Sequence, residues 1–174
     1  PAVSAAPVMA DEIKDLYDYE TQAREVETWN ILHSQSAADL NVLTNLYDGL
    51  VEADEYGKVV PAIAESWETE DNGITWTFHL REGVKWVDQN GNEKGEVTAQ
   101  DFLTGLEWIL NFHKNDAANT SMPMEMIVGA EDYYNMTSEL DADAGLALTA
   151  ESPEFADTVG IKAIDDYTLQ YTCV

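Results

Sequence analysis

A single cysteine, Cys173, stands one residue from the last position. No disulfide can form within the chain, so cysteine usage says nothing about the redox compartment. Basic residues are nearly as scarce. Only 8 Lys and Arg stand against 34 Asp and Glu, a formal net charge of −26. A surface of that sign repels phosphate backbones and argues against nucleic acid as a partner. Its ordinary consequence is a solvated acidic exterior that keeps the protein soluble. No apolar run approaches the ~20 residues that a membrane-spanning helix needs. The opening PAVSAAPVMADEIK has neither a basic start nor a continuous apolar stretch, and so does not read as a signal peptide. Small and rich in Pro, Ala and Ser, it begins what is expected to be a flexible leader over residues 1–24.

Enzyme signatures are missing as well. There is no G-x-S-x-G elbow, no Walker loop, no G-x-G-x-x-G and no H-E-x-x-H. His33, His79 and His113 lie far apart, and none has a His or Cys at ligand spacing. The run Asp88–Glu93 places oxygen side chains at Asp88, Asn90 and Asn92, as a calcium loop would. Its glycine comes two places early, however, and Ala99 stands where the bidentate Glu belongs. The run reads as a hairpin turn. Acidic pairs such as Asp141/Asp143 and Asp165/Asp166 would suit a glycosidase, but with 34 acids such pairs arise by chance. N-T-S at Asn119 and N-M-T at Asn135 are glycosylation sequons, meaningful only in a eukaryotic secreted protein. The expectation is a protein without catalytic residues, metal or cofactor.

What is present is globular. Hydrophobic residues make up 45% of the chain, with five Trp, eight Tyr and four Phe. Val26, Thr28, Trp29 and Ile31 favour an early strand. Ser36, with Asp39 three residues on, caps a helix whose apolar positions Leu40, Leu43, Leu46, Tyr47 and Leu50 recur at helical spacing; Asp48-Gly49 is its stop. Two short strands flank a turn at Glu55–Gly57, and Pro61 is expected to start one helical turn. Asp71-Asn72-Gly73 marks a hairpin. Beyond it Ile74, Trp76, Phe78 and Leu80 alternate with Thr75, Thr77 and His79, the pattern of a half-buried strand with four large residues inward. Thr98 and Asp101 cap a helix with Phe102, Leu106, Ile109 and Leu110 on its apolar stripe. Phe112–Pro123 reads as loop and Met124–Met136 as helix. Asp141 starts a short acidic helix, Ser152-Pro153 starts another, and the chain closes on two strands around Asp165-Asp166. Trp67, Trp76, Trp86 and Trp108 are expected to pack in the core. The last strand is still alternating at Val174, which suggests a fragment of something longer.

Several motifs occur in order: L-Y-D-G-L (Leu46–Leu50), P-A-I-A-E-S-W (Pro61–Trp67), T-W-T-F-H-L-R-E-G-V-K-W (Thr75–Trp86) and V-T-A-Q-D-F (Val97–Phe102). With VGIKAIDDYTLQYT near the end, they resemble the extracellular solute-binding proteins of the oligopeptide and dipeptide ABC-transporter family. The resemblance implies a mixed α/β (α+β) fold, like the type II periplasmic-binding proteins. Residues 25–47 would begin ligand-binding lobe one. Residues 48–174 would form the small extra subdomain of the peptide-binding group, truncated at its C-terminus.

The function so implied is capture of oligopeptides by lobe closure and delivery to permease subunits. The receptor would act as a monomer on the outer side of the cytoplasmic membrane, held there only through a lipid anchor that this sequence lacks. Relatives that carry sugars or nickel supply one alternative, and a carbohydrate-active enzyme another. The resemblance places ligand contacts at Ser34, Gln35, Ser36 and Ala37, mostly through main-chain groups. A second set, Met122 and Met124, lies beside Ser121, where flexible thioethers suit varied ligands. Some relatives carry a carboxylate where Gln35 stands; the neutral amide departs from that pattern, so charge-based selectivity at this position does not carry over from them. The strand and capped helix quoted above would then be scaffold.

Overall fold

A computed structural model describes residues 25–34, 36–115 and 120–174. The elements are α1 (Ala37–Leu43), β1 (Val51–Ala53), β2 (Val59–Pro61), β3 (Ala64–Glu70), β4 (Thr75–Leu80), β5 (Lys85–Val87) and β6 (Glu93–Glu96). They continue with α2 (Ala99–Leu110), α3 (Phe112–Asn115), α4 (Ser121–Met126), α5 (Ala130–Glu139), α6 (Ala142–Ala147), α7 (Pro153–Ala156), β7 (Ile161–Asp165) and β8 (Thr168–Thr172). The order is that of a mixed α/β protein.

Its centre is a four-stranded antiparallel sheet, β3-β4-β8-β7. Register sets the faces, because residues opposite one another share a side. Trp76 faces Tyr171, which faces Ile161; Phe78 faces Leu169, which faces Ala163. These form the inner face. Thr77 and Gln170 pair on the outer face, where the Gln170 amide donates to Thr77 Oγ1 at 3.3 Å. Helix α2 covers the inner face, lying along β7. It contributes Ala99, Leu103, Leu106 and Leu110 to a core completed by Leu80, Tyr133, Phe155, Val159, Ile161 and Leu169. The start of α2 is tied to the β7–β8 turn, since Ala99 N–H donates to Asp166 O at 2.8 Å. Asp101 accepts the Thr98 N–H at 2.8 Å, the capping interaction that the sequence indicates.

Two short hairpins, β1–β2 and β5–β6, stand outside this sheet. In the second, Asp88 Oδ1 accepts the N–H groups of Asn90 and Asn92 at 2.9 Å, so its oxygens organise a turn. Asp141 and Asp165 likewise serve local structure, accepting from Ala144 N–H at 3.0 Å and from Tyr167 N–H at 2.9 Å.

Several expectations fail, each for a local reason. Residues 26–31 form no strand. Thr28 Oγ1 accepts Asn30 N–H, and Asn30 Oδ1 accepts Leu32 N–H, so short polar side chains bend the backbone against its β propensity. Helix α1 stops at Leu43 instead of reaching Leu50. Thr44 Oγ1 and the Asn45 amide bond the Asn41 carbonyl at 3.3 and 2.9 Å, competing with the next helical turn. Pro61 ends β2 and starts no helix, because Val51 pairs with it across the first hairpin.

The segment 112–136 is also divided differently. It holds α3, α4 and α5, and α4 and α5 part at Gly129, whose φ is 72°. A Cβ there would collide with the Thr158 carbonyl, so only glycine lets the two segments approach. On β4, Leu80 is buried and Trp76 and Phe78 are half-buried, but Ile74 lies before the paired strand and is 47% exposed. Trp86 is 42% exposed, because the β5–β6 hairpin extends outside the main sheet. On α2 the buried stripe runs through Leu103 and Leu106, with Phe102 and Ile109 only half-buried at its margins.

Candidate functional site

The first predicted contact stretch, 34–37, leads into α1. Gln35 lies outside the described residues. The Ser34 hydroxyl donates to Asp39 Oδ2 at 2.9 Å and accepts the Ser36 N–H at 3.2 Å. Asp39 is 1% exposed; its Oδ1 accepts the Glu27 N–H at 3.0 Å, and its own N–H reaches the capping hydroxyl of Ser36 at 3.4 Å. Ser34 therefore turns its hydroxyl into the protein and shapes the loop. Ser36 is half-buried and Ala37 exposed.

Met122, expected in a loop, lies with Met124 on α4. Two residues apart on a helix, they point to different sides. Met124 is half-buried and packs on the core, whereas Met122 is 69% exposed. Met122 and Met126 occupy successive turns and line an open groove of about 310 Å³ with Trp76, Phe78, Tyr171 and Cys173. Its exposed lining is wholly apolar. Burial, with a smaller electrostatic contribution from the neighbouring Cys173, pushes the Tyr171 hydroxyl up to about 12, so the phenol is neutral at physiological pH. Phe78 and Tyr171 meet edge to face with ring centroids 6.1 Å apart. Ser34, Ser36 and Ala37 take no part in this groove.

Sequence reasoning missed the groove because its walls come from separate segments. Trp76 and Tyr171 become neighbours only through β4–β8 pairing. It also missed a buried polar cluster beneath α3 and α6. Glu107 is 2% exposed and accepts from Tyr133 Oη and Asn111 Nδ2 at 2.9 Å each, and from Lys114 Nζ at 2.8 Å. Asn111 Nδ2 also reaches Gly145 O at 2.9 Å, and Lys114 Nζ reaches Leu148 O at 2.5 Å. Burial, followed by the Glu107 charge, raises the Tyr133 hydroxyl far above its usual range. One available signal was a glutamate set between Leu106 and Leu110 on an apolar stripe, with a lysine two turns on.

A layered sheet with an open apolar groove has the make-up of a binding module. Among the described residues, no group of three His, Cys, Asp or Glu could hold a metal ion, and no helix is long and apolar enough to cross a membrane. The model of the bacterial extracellular solute-binding proteins, family 5 Middle, matches residues 58–173, and the chain belongs to that family. The family is one of binding proteins, not enzymes, and lies on the extracellular or periplasmic side.

The oligopeptide-binding protein AliB of Streptococcus pneumoniae is 35% identical over 158 residues, 91% of this chain and 21% of its own length. The periplasmic oligopeptide-binding protein OppA of Escherichia coli is 30% identical over 148 residues, 85% of this chain and 23% of its own. Among solved structures, the substrate-binding domain of an oligopeptide ABC transporter from Bacillus anthracis superposes with a TM-score of 0.66 at 28% identity, covering 88% of this chain and 25% of that one. Listeria monocytogenes OppA bound to peptide gives 0.63 at 28%, covering 83% and 24%. The chain thus spans about a fifth of the length of the curated relatives it matches.

Proposed function

We propose that this chain serves a receptor that captures oligopeptides outside the cytoplasmic membrane and passes them to the permease subunits of an ABC importer. The observation that carries the reading is the family match over residues 58–173, together with relatives named for oligopeptide binding. No covalent chemistry is required: binding and lobe closure suffice. The receptor works as a monomer, and a lipid anchor would be its only hold on the membrane.

Within it, residues 25–47 belong to lobe one and 48–174 to the small subdomain. The main core cluster supports this division, because its members run from Ile63 to Leu169 and Leu43 is not among them. Ser34, Gln35, Ser36 and Ala37 meet the peptide largely through main-chain groups, with the Ser34–Asp39 bond holding the loop in shape. Met122 gives α4 an adaptable apolar contact, and Met124, packed on the core, supports the helix that carries it.

Calorimetry on the full-length receptor with a mixed pool of tri- to pentapeptides tests the reading. Saturable binding is expected. Failure with every peptide, beside tight binding of a sugar or of nickel, would overturn it.

A further inference from the structure

We infer that Glu107 is a positioning residue for the α4 contact surface, acting through the hydroxyl of Tyr133 on α5. This rests on the proposed reading of Met122 as a ligand contact. Helix α4 has a firm pivot at its C-terminal end. Val174 N–H donates to Met126 O at 3.0 Å, Ile127 bridges Cys173, and Val128 N–H donates to Thr172 O at 3.1 Å. A helix pinned at one end still needs a neighbour to set its lean, and α4 lies against α5.

What holds α5 is therefore what aims α4. The Tyr133 ring packs on Phe155 with centroids 5.1 Å apart, and its hydroxyl reaches the Glu107 carboxylate on α2. Phe112 N–H adds a bond to Thr137 Oγ1 at 3.2 Å. Glu107 is itself immobilised by Lys114 and Asn111, so the carboxylate is a rigid, buried anchor for α5. A shift of α5 would turn Met122 about that pivot, relative to Trp76 and Tyr171 across the groove. Tyr133→Phe removes only the hydroxyl and leaves the ring packing intact, which makes it a mild probe.

The test is a double-mutant cycle on the full-length receptor, with calorimetry against one alanine–leucine pentapeptide and thermal unfolding as the folding control. Tyr133→Phe is expected to weaken Kd by about 3- to 30-fold. With Met122→Ala already present, it should add less than about 2-fold. Glu107→Gln should show the same non-additivity and replaces Tyr133→Phe if that variant fails to fold. Unchanged Kd in both positioning variants, or effects that simply multiply with Met122→Ala, overturns the inference while the α4 contact stands. If Met122→Ala itself leaves Kd unchanged, the α4 contact falls, and the inference with it.

Discussion

The Glu96 carboxylate accepts the phenolic hydroxyl of Tyr167 at 2.6 Å, joining residues 71 positions apart. Lys85 Nζ donates to the same carboxylate at 2.9 Å, and Gly83 N–H at 2.7 Å. Tyr167 also offers its carbonyl to Leu80 N–H at 2.7 Å. One tyrosine thus ties the outlying β5–β6 hairpin to the β7–β8 turn and to the end of β4.

This tether is expected to depend on pH at both extremes. The Tyr167 hydrogen bond, with that of Lys85 next, holds Glu96 down at about 2 against an ordinary 4.5. Because the folded value is depressed, the stabilisation is present above about pH 4.5 and disappears as pH falls toward 2. Glu96 in turn raises Tyr167 from 10 to about 12. That stabilisation is complete below pH 10 and disappears as pH rises through 12. Hydrogen exchange of the Lys85–Val87 and Glu93–Glu96 amides should report both losses. In Tyr167→Phe the exchange should be fast throughout, with the alkaline step gone.

Breaking the buried ion pair should cost far more than breaking a surface one. Lys114→Met leaves Glu107 with neutral donors only and removes the bond to Leu148 O. The expected destabilisation is about 3–5 kcal/mol. Lys94→Met, which breaks a pair with Asp88 at 2.9 Å on a surface turn, should cost far less, because solvent screens that pair. Urea unfolding of the two variants makes the comparison, and equal midpoints would contradict it.

Phe155, fully buried in the core against the Tyr133 ring, outranks Trp76 as a core residue. Phe155→Ala should destabilise by about 3–5 kcal/mol. Trp76→Ala, at a half-buried site beside the groove, should cost distinctly less. Denaturation midpoints falling in the opposite order would show that the sheet end is packed more tightly than the α2–α5 core.

A net charge of −26 on 174 residues makes the folded state repel itself. Raising sodium chloride from about 0.01 M to about 0.5 M shortens the screening length from roughly 30 Å to a few ångströms. The unfolding midpoint should therefore rise with salt at neutral pH. A flat or falling midpoint in calorimetry would mean that the acidic side chains are spaced too widely to interact.

Local chemistry was legible without coordinates. The Ser36, Thr98 and Asp141 caps, the hairpin turns at Asp88–Asn92 and Asp165–Asp166, and the alternation of β4 all depend on residues a few positions apart. The ordered motifs from Leu46 to Phe102 also sufficed to indicate the family. Less legible were the ends of elements. At α1 and at residues 26–31, Asn and Thr side chains took backbone partners that propensity assigns to helix or strand.

By itself, then, the sequence determined the acidic character, the local caps and turns, and which residues alternate. Tertiary structure alone decided what each face meets. It set Trp76 beside Tyr171, buried Glu107 among three donors, and left Ile74 and Trp86 in contact with solvent. The physical reason is range: a cap is satisfied within one helical turn, whereas burial depends on segments that only the folded sheet and helices bring together.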